Sequence, residues 1–221
     1  MLIAIDIHSL RRARRHPAHR GSSIIRSQPT LPWLTLPNAL STSRLLLAPL
    51  GAALVMRQPF AQTTLLAGTA LCAAAVFYIA VVTDVLDGRI ARRRGQVSAL
   101  GGLLDHGSDA VFVTVLLGAL AWIGVVPALL PPLVIVAFTQ YMLDSKALAG
   151  HTLRASWLGR RNGVAYFVLA GTAITRDALQ FSWPANSWLQ ALGWVLIATT
   201  LLSMYDRAAT LYRTRGDRSS V

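Results

Sequence analysis

TDVLDGRIARRRGQVSALGGLLDHGSD, residues 83–109, lies between two long apolar runs, LLAGTALCAAAVFYIAVV at 65–82 and AVFVTVLLGALAW at 110–122. Four of the chain's nine acids fall in this stretch. Asp84 and Asp87 are three apart, and Asp105 and Asp109 are four apart, so each pair shares one face of a helix. The glycine-rich link between the pairs predicts two antiparallel neighbouring helices, with Asp84 and Asp87 at the end of one and Asp105 and Asp109 at the start of the next.

The surrounding sequence fixes the medium in which those helices stand. Of 221 residues, 54% are hydrophobic and 14% charged, too little polar surface for a soluble domain of that length. The apolar residues come in helix-length segments near 39–57, 62–84, 102–124, 126–144, 161–180 and 187–205. Arg57-Gln-Pro59, the Gly88–Gly102 link, Gly124 to Pro127 and Ser182-Trp-Pro184 punctuate them. Pro131 and Pro132 predict a kink or a late start in the fourth. The expectation is an all-α integral membrane protein of six transmembrane helices. Residues 1–31 form a basic arm, 32–205 the membrane domain and 206–221 a basic tail.

Charge sets the orientation. Eighteen Lys and Arg fall before residue 38 or at 89–94, 146–161 and 207–218, against two, Arg57 and Arg176, on the opposite face. That bias puts both termini in the cytoplasm and accounts for most of the net charge of +12, so no nucleic-acid partner is required. The aspartates then lie at the cytoplasmic face of a bacterial inner membrane. Cys72, the one cysteine, excludes an intrachain disulfide and reads as a small buried hydrophobe.

Four converging carboxylates at the edge of a bilayer need compensation. Each costs about 2–4 kcal/mol at depth, less near the interface, and the four repel one another. Divalent cations offset both terms, and hard carboxylate oxygens suit Mg2+ or Mn2+. The competing account is a structural network with Arg89, Arg92, Arg93 and Arg94.

The stretch reads Asp84-x2-Asp87-Gly88-x2-Ala91-Arg92-x8-Gly101-x3-Asp105-x3-Asp109. This resembles the signature of the CDP-alcohol phosphotransferases, with all eight fixed positions filled. Pro37-Asn38-x2-Ser41-x2-Arg44, with Pro49, is similar to the family's opening of its first helix, Ser replacing Thr; read alone, Asn38 or Ser41 is equally an N-cap. The resemblance implies transfer of a phosphoalcohol group from a CDP-alcohol to an acceptor hydroxyl, with release of CMP, in phospholipid synthesis. By position it implies Asp84, Asp87, Asp105 and Asp109 as ligands of two Mg2+ or Mn2+ ions, and Asp109 also as general base. Asn38, Ser41, Arg44, Gly88, Ala91, Arg92 and Gly101 would lie on the nucleotide side. Lys146, Arg154, Arg160 and Arg161 are candidates for a phosphorylated acceptor, with positive-inside topology as the alternative. The family also implies a homodimer.

The acceptor stays open. Asp105-His-Gly-Ser-Asp109 departs from the DPxADK form of phosphatidylglycerophosphate synthases and looks more like choline/ethanolamine phosphotransferases. The short chain favours a lipid donor, CDP-diacylglycerol, over a soluble CDP-aminoalcohol. His106 and the helically spaced Gln140, Tyr141 and Asp144 are neighbours of the site. Two rival readings stand beside the transferase: a divalent-cation transporter, and a catalytically silent relative.

Overall fold

In the computed structural model, which describes residues 36–60, 63–94, 99–143 and 157–216, the apolar runs become six helices. Helix α1 covers Leu36–Arg57 and tightens into a 3-10 turn, Gln58–Phe60, at Pro59, which has no backbone donor to continue the ladder. Then follow α2 (Thr63–Arg94), α3 (Ala99–Trp122), α4 (Leu130–Leu143), α5 (Trp157–Ala178) and α6 (Asn186–Gly216). The described residues contain no strand.

Four stretches, Asn38–Phe60, Ala67–Ile90, Leu104–Trp122 and Asn186–Thr210, are long and apolar enough to cross a membrane. The other two helices fall short of that. The 14 described residues of α4 rise about 21 Å and border directly on residues outside the described ones. Helix α5 carries Arg160, Arg161, Arg176 and Asp177. The late start expected of the fourth segment is found: Pro131 and Pro132 sit in the first turn of α4, where a missing N–H leaves no bond broken.

Three sequence boundaries change. Helix α2 runs on to Arg94, so Asp84 and Asp87 lie inside a continuing helix rather than at its end. Straight-chain arginines are good helix formers and favour its C-terminal turn. Helix α3 begins at Ala99, which puts Asp105 and Asp109 beyond its first turn. Helix α6 continues to Gly216, so the basic stretch after residue 205 is helical as far as that glycine.

The packing order also departs from the expected hairpin. Both α2 and α3 make their main contact with α1 rather than with each other. Helix α5 closes against α2, α3 and α6, and α4 against α3 and α6. Close approach is made possible by small residues. A Cβ on Gly51 of α1 would meet Leu116 Cδ2 of α3 at 2.9 Å, and one on Gly171 of α5 would meet the Phe77 ring of α2 at 2.8 Å. The centre is α3, whose Phe112, Leu116, Leu117 and Leu120 are fully buried. The rings of Phe77, Phe112 and Phe167 meet there at 6.3–6.5 Å between centroids.

Leu46, Ile79, Val82 and Val111 project from the outer surface, as expected of helices solvated by lipid. Cys72 is exposed on that surface as well, which corrects its reading as a buried residue. Its neighbours Ala73 and Ala74 supply the inward face instead.

The seam between α5 and α6 is polar but uncharged. Asn162 Nδ2 donates to Thr200 Oγ1 at 3.3 Å, and Thr199 Oγ1 donates to Asn162 Oδ1 at 3.1 Å. The Tyr166 hydroxyl also bonds Thr200 Oγ1. Thr200 in turn donates to the Leu196 carbonyl at 2.6 Å.

Candidate active site

Because α1 packs against both α2 and α3, its inward face meets both aspartate pairs. Ser41 and Arg44, three residues apart, present that face. The Arg44 side chain is 1% exposed. Its Nη1 lies 2.5 Å from Asp84 Oδ1 and 2.6 Å from Asp109 Oδ1; its Nη2 lies 2.9 Å from Asp87 Oδ2 and 2.6 Å from Asp105 Oδ1. Ser41 Oγ donates to Asp87 Oδ2 at 3.2 Å and to Asp105 Oδ1 at 3.4 Å. One arginine therefore ties together all four signature carboxylates.

Ser41 and Arg44, expected on the nucleotide side, contact the carboxylates, as an intramembrane cation takes the nearest anions. Among the described residues, the ion pairs of the four aspartates run to Arg44 and, at 4.0 Å, to His106. Of the four arginines in the competing network, Arg89, Arg92 and Arg93 are exposed, and the side chain of Arg94 lies outside the description. Sequence reading does not find the central role of Arg44, although an arginine eight residues into an apolar helix is a signal that it needs an anionic partner.

The remaining candidates are dispersed. Asn38 and Ser41 both lie within α1, which removes the N-cap alternative; the Asn38 carbonyl accepts from Thr42 Oγ1 at 2.8 Å. Gly88 sits under the Arg92 guanidinium, whose Nη1 would be 3.4 Å from a Cβ there. Ala91 and Gly101 are helical, in α2 and α3. Arg160 and Arg161 are exposed in the first turn of α5, and the Arg161 guanidinium stacks 4.1 Å above the Trp157 ring. Lys146, Arg154 and Asp144 lie outside the described residues. On the other flank, His106 meets Tyr141 edge-on at 6.3 Å, and Arg207 lies 5.1 Å over the same Tyr141 ring. Gln140 Nε2 reaches the Met204 carbonyl at 3.3 Å.

The donor set suits a divalent cation. Asp84, Asp105 and Asp109 each offer an oxygen, all within 4.8 Å of one another. Asp87, the fourth expected ligand, stands beside that group, held by Ser41 and Arg44. Asp87 and Asp109 are 2% and 6% exposed, so water screens them poorly. Four carboxylates thus gather around Arg44 in a poorly hydrated place. Carboxylate oxygens in that condition attract hard cations.

A family model described as CDP-alcohol phosphatidyltransferase matches residues 34–203. A cardiolipin synthase (CMP-forming) of Streptomyces coelicolor is 40% identical over 96 residues, 42% of this chain and 42% of the relative. The cardiolipin synthase (CMP-forming) of Rattus norvegicus is 28% identical over 195 residues, 79% of this chain and 60% of the relative. A CDP-diacylglycerol–glycerol-3-phosphate 3-phosphatidyltransferase of Salmonella choleraesuis is 25% identical over 191 residues, 82% and 96% of the two chains. The aligned part thus covers less than two thirds of the length of these cardiolipin synthases, and nearly all of the Salmonella enzyme.

Proposed function

Since the chain belongs to the CDP-alcohol phosphatidyltransferase family, we propose that it transfers a phosphatidyl group from CDP-diacylglycerol to an acceptor hydroxyl, releasing CMP, in phospholipid synthesis. The observation that carries this reading is the convergence of Asp84, Asp105 and Asp109 at one end of an otherwise apolar bundle. The name of the Salmonella relative supports CDP-diacylglycerol as donor and glycerol 3-phosphate as acceptor, and the names of the cardiolipin synthases support a lipid product formed with CMP. The reaction takes place at the cytoplasmic face of a six-helix bundle with both termini inside, and the working unit is a homodimer; the charge bias and the family resemblance support these.

In chemical terms, the acceptor oxygen attacks the phosphorus that bears diacylglycerol. A new P–O bond forms, the pyrophosphate P–O bond breaks, and its electrons leave with CMP. The hydroxyl proton passes to a carboxylate oxygen of Asp109, which reaches the site from the buried side of α3. Asp84, Asp105 and Asp109 would hold a Mg2+ or Mn2+ ion, which would supply counter-charge for the pyrophosphate and ease loss of the hydroxyl proton. Asp87, steadied by Ser41, is placed to serve a second ion. Gly88, Ala91 and Gly101 keep the wall beside the nucleotide low, and Arg92 meets its phosphates. Asn38 contributes from the start of α1. Arg160 and Arg161, with Lys146 and Arg154, attract the anionic acceptor.

The transporter reading needs a polar path through the bundle. Two turns along α2 from Asp84, and one turn along α3 from Asp109, the rings of Phe77, Phe112 and Phe167 fill the interior. That closed floor favours chemistry at one face over permeation.

The test is CMP release by the purified protein in detergent with Mg2+ or Mn2+. CDP-diacylglycerol is offered with glycerol 3-phosphate or phosphatidylglycerol, and CDP-choline with diacylglycerol serves as the contrasting pair. Acceptor-dependent CMP from CDP-diacylglycerol is expected. Release only from CDP-choline would replace the donor assignment. Tight CDP binding with no release from any pair would identify a silent relative, and absence of CDP binding would return the transporter to first place.

A further inference from the structure

Arg44 places a cation among the carboxylate oxygens that a metal ion needs. Its two terminal nitrogens lie within 2.5–2.6 Å of Asp84 Oδ1, Asp105 Oδ1 and Asp109 Oδ1, and these three residues form the group able to hold an ion. Charge-assisted contacts of that length are among the stronger polar interactions in proteins. A divalent ion binding the same oxygens would stand close to the guanidinium, with like charges a few ångströms apart in a poorly hydrated pocket. Both cannot hold those oxygens fully at once.

We propose that Arg44 is an internal place-holder: it keeps the four carboxylates assembled in the metal-free protein and is displaced from them when a divalent cation binds. The proposal rests on the metal-dependent reading of the site. Two further observations support it. The Arg44 Nε is buried without a hydrogen-bond partner, so the polar contacts that its departure would break are those of its terminal nitrogens. Ser41, one turn away on α1, holds Asp87 and Asp105 independently of Arg44, so part of the pocket survives its departure. The arrangement solves a folding problem. Four carboxylates can be inserted and packed before any metal arrives, because one arginine relieves their repulsion, at the cost of weaker metal affinity.

The sign of the effect separates this from an ordinary supporting role. A residue that merely shapes the site lowers metal affinity when it is lost, whereas a competitor raises it. Mn2+ binding to the detergent-solubilised protein, measured by calorimetry without any CDP-alcohol, is the primary readout. Arg44→Met is expected to bind Mn2+ about tenfold more tightly than the wild type, equivalent to about 1.4 kcal/mol. Its unfolding temperature without metal should fall, and the rise on adding Mn2+ should exceed that of the wild type. Arg44→Lys retains the positive charge and supports folding should the methionine variant fail to fold. Its ammonium reaches fewer of the four carboxylates, so Mn2+ affinity about threefold above wild type is expected. Unchanged or weaker Mn2+ binding in whichever variant folds overturns the proposal. Because no nucleotide or lipid is present, failure of the transferase reading leaves this result interpretable, and the converse also holds.

Discussion

Two regions of the bundle bury polar side chains, and they do so by opposite rules. At the α5–α6 seam, Asn162, Tyr166, Thr199 and Thr200 satisfy one another with neutral groups, and no charge enters. At the α1–α2–α3 end, four carboxylates surround one guanidinium. Interhelical hydrogen bonds between neutral groups contribute modestly to association, about 0.6 kcal/mol on average within a membrane. An unbalanced cluster of ions contributes no such gain and is retained for a ligand. On the proposed reading, the first region holds the fold and the second does its chemistry. Substitutions in the two should therefore separate activity from stability.

The largest expected effect is at Asp109. Replacing its carboxylate with an amide, Asp109→Asn, keeps the volume and removes a buried like charge, so unfolding temperature should hold or rise. CMP release should fall by about a thousandfold, within the range for loss of a general base. Turnover within tenfold of wild type would remove Asp109 from that role. A parallel fall in stability and turnover would place it with the seam residues and break the contrast between the two regions.

Chelation comes next in size. Removing divalent ions with EDTA should abolish CMP release, and Mg2+ or Mn2+ should restore it. The folded population should change little, because Arg44 keeps the metal-free carboxylates together. Turnover that persists after exhaustive chelation would contradict a metal site at Asp84, Asp105 and Asp109.

The two regions are unequally legible in the sequence. Four acids in one short stretch between apolar runs, and all eight spaced signature positions, make the aspartate end readable from the residues alone. Spacing along one helix reports which residues share a face, but it does not report which helix that face meets. The contact of Ser41 and Arg44 with both aspartate pairs is therefore not legible in the sequence. The same gap explains Cys72, whose apolar surroundings fit an outward face in lipid as well as a core. The helix ends at Arg94 and Gly216 escape a hydropathy reading because hydropathy falls where the membrane stops, while backbone hydrogen bonding continues. The Asp105-His-Gly-Ser-Asp109 string looks like choline/ethanolamine phosphotransferases, yet the relatives found over longer alignments are phosphatidyl-transferring enzymes. Five residues weigh less than most of a chain. The α5–α6 seam offers no signal, since isolated Asn, Thr and Tyr residues in apolar helices have no spacing that names their partners.

A moderate effect is expected where α2 meets α5. Gly171→Ala places a Cβ 2.8 Å from the Phe77 ring, which is itself wedged against Phe112 and Phe167. The ring cannot move freely, so the helices must part, at about 1–3 kcal/mol for overpacking of this kind. Unfolding temperature should fall by several degrees, with CMP release per folded molecule retained. No loss of stability would mean that this contact is looser than the geometry indicates.

The smallest and most discriminating effect is at Thr200. Its hydroxyl accepts from Asn162, bonds Tyr166 and donates to the Leu196 carbonyl, while its methyl group fits a buried site. Valine keeps the shape and removes all three bonds. If the seam acts only in the fold, Thr200→Val should lower stability by about 0.6–1.7 kcal/mol, the range for membrane hydrogen bonds, and leave turnover per folded molecule unchanged. Tyr166→Phe alone should cost a comparable amount. The double variant should cost less than the sum, because both remove the same bond. Strict additivity would show that the Tyr166–Thr200 contact carries no energy. A tenfold fall in CMP release without loss of stability would join the seam to the site, and the division between a neutral region that folds and a charged region that reacts would no longer hold.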